Sequence, residues 1–418
     1  MTVSRQRPVA QQHPTADRHP TVRSVDEAEA YVASICFKTG PPRLIGVEME
    51  WVAHARDDPG RPIDPTVLRA ALGPHAPRTL DPDSPHAPLP GGATVTVEPG
   101  GQVELSTPPH ASLDALRVTT AADLDRLTRR LADAGLALHP GGIDPHRRCS
   151  RLLSTPRYDA MATAFARDGR DGLVMMCSTA ALQVCLDAGT PAQLAPRWAV
   201  AHALGPVLLA TFATSPRHAG RDTGWASARM RAWLRMRPER TSPVEVTDDP
   251  ADAWARYALR APLLCVRRPN GGWHAPPDVS FADWIRGALP RPPTTDDLDY
   301  HLSTLFPPVR PRGYLELRYL DSQPPAAWLA PVAVLAAATA TDATVDTVRD
   351  LAAPAADRWV DAARHGLAAP LLAATARQVL DVACRGLAHT DLPPAVRDEV
   401  AVTVERRLAG APGREFHP

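Results

Sequence analysis

Residues 45–51 read Ile-Gly-Val-Glu-Met-Glu-Trp, a run in which apolar and acidic side chains alternate. Successive side chains of a β-strand point to opposite faces of the sheet. This run therefore places three apolar side chains on one face and Glu48 and Glu50 on the other. An apolar face packs on a core, so the stretch predicts a half-buried strand over residues 43–53 that carries two carboxylates on its second face.

A second stretch repeats the pattern as a hairpin. Residues 93–107 predict two strands around a Pro-Gly-Gly turn at 99–101. Glu98 and Gln102 then become near cross-strand partners, and Glu104 lies on the same face as Gln102.

A third predicted strand, residues 313–321, places Glu316 and Arg318 on one face. Glutamate is depleted in strands, yet five of the 12 glutamates of this chain fall in these strand-like stretches. Their position on the face opposite the apolar residues therefore indicates a role other than packing in the core.

Neighbouring strands lie about 4.8 Å apart, and same-face residues of one strand about 6.6 Å apart. If the three stretches are neighbours, the carboxylates crowd one sheet face and repel each other unless a cation neutralises them. Oxygen ligands without histidine or thiolate favour Mg²⁺ or Mn²⁺, and Mg²⁺ often binds substrate phosphates, which points to ATP. The alternative is a solvated sheet face whose glutamates pair with arginines.

The amino-acid composition excludes some classes of function. Positive and negative side chains both number 46, so the zero net charge argues against a nucleic-acid or anionic-membrane binder. Lys38 is the only lysine and its surroundings are not a Walker A loop, so any nucleotide must be bound without a P-loop.

The six dispersed cysteines favour neither a disulfide scaffold nor a zinc site. Residues 1–23 are polar and proline-broken, which predicts a disordered tail rather than a secretory signal. We therefore expect a cytoplasmic protein with no membrane partner.

Strands scattered among helices, without a βαβ rhythm, predict an α+β fold with a mostly antiparallel sheet. Residues 173–187 are strand-like. We expect one catalytic domain over residues 24–412, in which residues 324–409 form an alanine-rich helical part.

The strand motifs resemble the glutamate–cysteine ligases, in particular their plant-type and actinobacterial branch, which includes the enzymes that open ergothioneine biosynthesis. The most specific part is Glu-Pro-Gly-Gly-Gln-Val-Glu-Leu-Ser at 98–106. Further matches lie at residues 46–50, 156–158, 178–184, 223–229 and 316–318.

The resemblance implies a curved antiparallel sheet that forms a funnel backed by helices, as in glutamine synthetase. It also implies a reaction in which ATP phosphorylates the γ-carboxylate of L-glutamate and the amine of L-cysteine displaces phosphate from the γ-glutamyl phosphate. The product, γ-glutamylcysteine, would feed ergothioneine or another low-molecular-weight thiol.

The family roles transfer residue by residue. Metal ligands for Mg²⁺ would be Glu48, Glu50, Glu98, Glu104 and Glu316. Arg318, with Glu316, would act at the transferring phosphoryl group, since fixed positive charge stabilises it. The substrate-binding residues would be Gln102, Arg229, Thr223 and Trp225.

Three other interpretations stay open. The first is a ligase of the same fold with another amine acceptor, and the second is a non-catalytic protein that binds metal or nucleotide. The third is a metal-dependent hydrolase, although histidine or aspartate ligands are missing from the strand set. No sequence feature indicates an oligomeric state.

Overall fold

The structure is a computed structural model that describes residues 20–410, so most of the predicted N-terminal tail lies outside the described residues. The strands in that range are β1 (Ile45–Ala55), β2 (Thr94–Val97), β3 (Gln102–Ser106), β4 (Leu136–His139), β5 (Ala181–Leu186), β6 (Arg217–His218), β7 (Arg221–Asp222), β8 (Val309–Pro311) and β9 (Leu315–Asp321). The helices before β8 are α1 (Val25–Cys36), α2 (Pro65–Leu72), α3 (Leu113–Asp133), α4 (Pro156–Arg167), α5 (Asp171–Ser178), α6 (Pro191–Phe212), α7 (Ala228–Leu234), α8 (Pro238–Thr241), α9 (Pro250–Arg260), α10 (Phe281–Asp283) and α11 (Thr295–Leu302). The helices after β9 are α12 (Leu329–Ala338), α13 (Asp342–Ala352), α14 (Trp359–His365), α15 (Pro370–Gly386) and α16 (Pro394–Leu408).

The main sheet has seven strands in the order β2-β3-β1-β5-β9-β8, with β4 paired to the second half of β1. Every pairing in it is antiparallel. β6 and β7 form a separate two-stranded hairpin. The predicted α+β fold with an antiparallel sheet backed by helices is confirmed.

The alternation in β1 determines which face of the sheet is buried. Val47, Met49 and Trp51 are each 1 % exposed, and the indole nitrogen of Trp51 donates to the Gln323 carbonyl at 2.9 Å. This apolar face packs on helices, among which α6 contacts β9. The glutamates of β1 consequently point to the opposite face.

The turn at 99–101 sets the register of the β2–β3 hairpin. The Glu98 amide donates to the Gln102 carbonyl at 2.8 Å, and Gly101 has a φ of +90°, which glycine adopts without strain. The predicted juxtaposition of Glu98 and Gln102 is confirmed.

Two predicted boundaries were wrong. Residues 171–178 form α5, and only the second half of the predicted 173–187 strand is β5. Val22 is 1 % exposed and its amide donates to the Pro293 carbonyl at 2.9 Å, so the end of the predicted tail packs on the protein.

The alanine-rich part forms α12 to α16, as predicted, and several of these helices pack on α6. Between residues 20 and 410, no single helix is long and apolar enough to cross a membrane, although two sharply bent helix pairs meet the length and composition of a span. The six cysteines lie in the same range and form no disulfide.

Candidate active site

A cavity of about 280 Å³ lies on the sheet face that carries the glutamates. The sheet contributes a charged and polar wall of Glu48, Glu50, Glu98, Gln102, Glu104, Gln183, Arg310, Arg312 and Arg318. Helices α4, α5 and α7 and the segment after α11 contribute an apolar wall, which we define as Met161, Met175, Met176, Trp233 and Phe306. The same helical side also carries Arg157, Tyr158 and Ser303, so it combines apolar and polar groups, whereas the sheet side is dominated by charged residues.

Four of the predicted metal ligands meet in this cavity. Glu50 of β1 lies directly across from Glu104 of β3, and Glu48 is two residues along β1. Glu98 follows β2 at the hairpin turn. Strand pairing thus brings together carboxylates that are as much as 56 positions apart in the chain (from 48 to 104).

Each of the facing carboxylates is held in place by neighbouring donors. The Ala181 amide and the Gln183 side-chain amide donate to Glu50 at 2.9 and 3.2 Å. The Thr96 hydroxyl donates to Glu104 at 2.6 Å. These bonds orient the carboxylates before any ligand arrives.

The surroundings of the four cavity glutamates disfavour their ionised form. Burial raises the pKa of Glu48 to about 7, and repulsion from Glu316 and Glu104 adds to the rise. Burial raises the pKa of Glu98 to about 8, with repulsion from Glu104 and Glu50. The pKa values of Glu50 and Glu104 are also raised, mainly by burial. A bound cation would relieve this penalty.

The donor set suits Mg²⁺, because it consists of oxygen atoms with neither thiolate nor imidazole. Over residues 20–410, no group of three or more His, Cys, Asp or Glu side chains stands close enough to hold an ion as the side chains lie. Cation binding would therefore draw these carboxylates together.

Glu316 differs from the other four predicted ligands in its surroundings. It is 0 % exposed, and its two oxygens accept hydrogen bonds from Arg310 (2.6 and 3.1 Å), Arg312 (3.2 Å) and Arg318 (2.9 Å). Burial pushes its pKa up, but the arginines outweigh burial and the net pKa is lowered. Glu316 therefore holds an arginine cluster in position, and its predicted role as a metal ligand stays a prediction.

Arg318 lines the cavity as predicted. Its guanidinium donates to Glu316 and to the Gln183 side-chain oxygen. Burial lowers its pKa but Glu316 and Glu48 raise it, with a net rise, so Arg318 stays cationic. It is oriented to receive an anionic group.

Gln102 lines the cavity, but its amide is committed to the protein. The side-chain nitrogen donates to the carbonyls of Thr179 (2.9 Å) and Met176 (3.4 Å), and the oxygen accepts from the Gly100 amide at 3.0 Å. Gln102 therefore ties the hairpin turn to the end of α5, and its predicted contact with the substrate stays a prediction.

Arg229 is 1 % exposed and lies outside the lining of the cavity, and its predicted contact with the substrate stays a prediction. It donates to the Arg318 carbonyl at 2.6 Å, lies 3.9 Å from Asp321 and stacks 4.7 Å from the Trp233 ring. Burial lowers its pKa, while Asp321 and Glu50 oppose the drop. Arg229 therefore lies behind the cavity and contacts Arg318 and Trp233, which both line it.

Thr223 and Trp225 follow the β6–β7 hairpin and also lie outside the cavity lining. The Thr223 hydroxyl donates to the Pro216 carbonyl at 2.8 Å and accepts from the Trp225 amide at 3.2 Å. These contacts shape a turn, and the predicted role of both residues in the pocket wall stays a prediction.

Sequence reasoning missed the arginine cluster and the apolar wall. Arg310 lies directly opposite Glu316 in the β8–β9 pairing, but β8 has only three residues and gave no strand pattern. The apolar wall comes from three helices and a loop, whose convergence no local pattern records.

Comparison with known protein families shows which family this chain belongs to. The sequence profile of glutamate-cysteine ligase family 2 matches residues 44–403. The chain belongs to this family. The resemblance read from the strand motifs, and with it the prediction of an enzyme of the glutamate–cysteine ligase family, is confirmed. The match also includes most of the alanine-rich helices, in which no motif had been recognised.

The following relatives with curated names are also glutamate–cysteine ligases. The chain is 41 % identical to the glutamate–cysteine ligase EgtA of Mycolicibacterium smegmatis over 82 % of this chain and 80 % of that one. It is 42 % identical to EgtA of Mycobacterium tuberculosis H37Rv over 86 % and 82 %. The chloroplastic glutamate–cysteine ligase of Brassica juncea is 30 % identical over 56 % and 47 %. A solved glutamate–cysteine ligase from Francisella tularensis in complex with AMP has a TM-score of 0.49 and 13 % identity over 88 % and 82 %.

Proposed function

We propose that this protein joins the γ-carboxylate of L-glutamate to the amine of L-cysteine at the expense of ATP, giving γ-glutamylcysteine, ADP and phosphate. The observation that carries the proposal is the two-sided cavity, in which four buried carboxylates lie near an arginine cluster within a chain of the glutamate–cysteine ligase family. The product would enter ergothioneine or another low-molecular-weight thiol. We expect the enzyme to act in the cytoplasm, where ATP and reduced cysteine are available.

The four cavity glutamates would hold Mg²⁺ (Mn²⁺ as a substitute): Glu48, Glu50, Glu98 and Glu104. The cation would neutralise phosphate charge on ATP and on the transferring phosphoryl group. The hydrogen bonds to Glu50 and Glu104 prearrange the oxygens for that task.

Arg318 would donate to the phosphoryl group as it passes to the glutamate γ-carboxylate. Charge-assisted hydrogen bonds from a fixed guanidinium stabilise the developing charge without reorganisation. Glu316 keeps Arg318, Arg310 and Arg312 pointed at the cavity. The amine then attacks the carbonyl carbon of γ-glutamyl phosphate and phosphate leaves.

The test is phosphate release from ATP and Mg²⁺ with L-glutamate fixed and amines varied one at a time, with products identified by mass. The proposal requires release that depends on both glutamate and cysteine, and γ-glutamylcysteine as the product. Release with glutamate but preference for another amine would contradict the cysteine assignment alone. No release with any amine would favour a non-catalytic protein.

A further inference from the structure

We propose that Asp321 is a positioning residue for Arg318 and that it acts through Arg229. This inference rests on the proposed function, in which Arg318 donates to the transferring phosphoryl group. It also gives a role to the matched stretch at residues 223–229, which lies outside the lining of the cavity.

Arg318 stands in a β-bulge of β9. The register of β5 against β9 shifts between residues 182 and 184, so that Arg318 and Tyr319 together lie opposite Gln183. A bulge interrupts the ladder of hydrogen bonds, bends the strand and changes the direction of the side chain that it carries. The direction of the Arg318 side chain therefore depends on what fixes the backbone of this bulge.

Arg229 of α7 holds that backbone. Its guanidinium donates to the Arg318 carbonyl at 2.6 Å and lies 4.7 Å from the centre of the Trp233 ring. A shift of Arg229 would therefore move the peptide from which the Arg318 side chain projects into the cavity.

Asp321, the last residue of β9, surrounds itself with donors that include Arg229. Asp321 is 0 % exposed, and its carboxylate accepts from the Ser215 hydroxyl (2.6 Å), the Ser227 hydroxyl (2.8 Å) and the Thr214 amide (2.9 Å). The Arg229 guanidinium lies 3.9 Å from the same carboxylate. Burial raises the pKa of Asp321, and Arg229 and these donors oppose the rise. Three donors and a guanidinium suit an ionised carboxylate, which only accepts.

The two serines connect Asp321 to the backbone at the start of α7. The Ser227 hydroxyl caps this helix by accepting from the Met230 amide at 3.1 Å, and the Ser215 hydroxyl accepts from the Arg229 amide at 3.3 Å. Asp321 thus fixes both the side chain and the main chain of Arg229. A misplacement of a reacting group by about 1 Å can slow a reaction about 100-fold, so such a rigid connection matters for turnover.

Asparagine is the substitution that fits at position 321. A Cβ atom on Gly142 would lie 2.6 Å from the carboxyl carbon of Asp321, which shows that the space around this side chain is full. Asparagine keeps the size of the side chain, but it loses the charge and turns one acceptor into a donor that faces other donors.

The first arm of the test compares Asp321→Asn with Asp144→Asn as the control. Asp144 is also buried, at 5 % exposed, and accepts from the Arg147 side chain at 2.6 Å, but it lies outside the lining of the cavity. Asp321→Asn should lower the kcat of phosphate release about 30- to 100-fold and leave the KM values for glutamate, cysteine and ATP within about threefold. Asp144→Asn should keep kcat and all three KM values within about threefold.

The second arm repeats both substitutions in an Arg318→Ala background, with γ-glutamylcysteine measured by mass so that slow turnover is detected. If Asp321 acts through Arg318, Asp321→Asn should lower kcat less than about threefold once Arg318 is gone. A merely structural role would lower kcat by the same factor in both backgrounds.

Ser215→Ala keeps the test independent of whether Asp321→Asn folds. It removes one donor from the Asp321 carboxylate and leaves the charge in place. We expect kcat to fall about three- to tenfold in the otherwise wild-type protein and to stay unchanged in the Arg318→Ala background.

Three results would overturn the positioning role while leaving the proposed ligase intact. They are equal factors in the two backgrounds, a loss of kcat in Asp144→Asn as large as that in Asp321→Asn, and raised KM values with an unchanged kcat. A wild-type enzyme that makes no γ-glutamylcysteine would instead refute the proposed function, and this inference with it.

Discussion

Glu104 lies opposite Glu50 in a cavity that disfavours their charge. We predict that Glu104→Gln keeps the fold and lowers Mg²⁺-dependent turnover by about 100-fold or more, since it removes one of the carboxylates proposed to hold the cation that neutralises the phosphates. Steady-state kinetics over a range of Mg²⁺ concentrations would measure the loss. Glu399→Gln, on the exposed side of α16, is the matched control. Near-normal turnover in Glu104→Gln would remove this residue from the site.

The raised pKa values predict how stability depends on pH when no divalent cation is present. Glu98, with a pKa of about 8 against an ordinary 4.5, keeps its proton in the folded protein at pH values where the unfolded chain has lost it. The stabilising contribution is complete below pH 4.5 and is lost as the pH rises through 8. We predict that the thermal midpoint in chelator falls between about pH 5 and 8, and that Glu98→Gln makes this fall smaller. An equal slope in both proteins would contradict the raised pKa of Glu98.

Arg229 is the subject of a third prediction at the residue scale. Removing a buried cation leaves Asp321, which is 0 % exposed, without its countercharge. Arg229→Met should therefore lower the free energy of unfolding by about 3–5 kcal/mol in denaturant titrations. Arg235→Lys, at a side chain that is 54 % exposed, is the control and should change it little. Similar small effects for both would mean that Arg229 does not support the site.

Which side chains share a sheet face could be predicted from the sequence, because a period of two is a local property of a strand. That is why Glu48, Glu50, Glu98 and Glu104 were found. The burial of Arg229 could not be predicted, because arginine is usually exposed and its charged partner Asp321 lies on β9, far along the chain.

At the scale of elements, the hairpin turn at residues 99–101 and α5 pack so closely that residue 100 has no room for a side chain. A Cβ atom on Gly100 would lie 1.9 Å from the Cys177 carbonyl oxygen, so the turn and the helix end could not keep their positions. We predict that Gly100→Ala lowers the free energy of unfolding by about 1–3 kcal/mol and strongly reduces turnover, as measured by denaturant titration and phosphate release.

Gly40→Ala is the control for that substitution, because nothing lies within 4 Å of a Cβ atom there. If Gly100→Ala were as active as Gly40→Ala, the turn would not need its close approach to α5.

The same region shows why one element was mispredicted. Residues 173–177 read Leu-Val-Met-Met-Cys, and a short apolar run of this kind fits a buried strand or a buried helix equally well. Contacts with α4 and α7 favour the helix here. The helical assignment matters for function, since it brings two methionines into the apolar wall.

At the scale of the whole molecule, both ends of the described range (residues 20–410) are hydrogen-bonded to the rest of the protein. Arg407 of α16 donates to the Gln323 side chain at 3.0 Å, and Gln323 in turn meets Trp51 of β1. The alanine-rich helices are thus linked directly to the sheet, and we retain the prediction of one catalytic unit.

The N-terminal contacts allow a truncation test. Deleting residues 1–23 removes Val22 from a buried position, which should cost about 2 kcal/mol of unfolding free energy. Deleting only residues 1–19 leaves the Val22 and Pro20 backbone contacts with residues 293–295 in place. Thermal unfolding of the two truncations compares them directly, and equal midpoints would show that Val22 contributes nothing.

The order of strands separates charge across the cavity. Carboxylates lie on β1, at the end of β2 and on β3, the arginines lie on β8, β9 and between them, and neutral Gln183 of β5 stands in the middle. Because burial favours the protonated form of Glu98 while three arginines share the single carboxylate of Glu316, the β8–β9 side gives the floor its positive charge. An anionic group that enters is therefore attracted to that side, and a cation held by the four glutamates would make both ends of the floor attractive to anions.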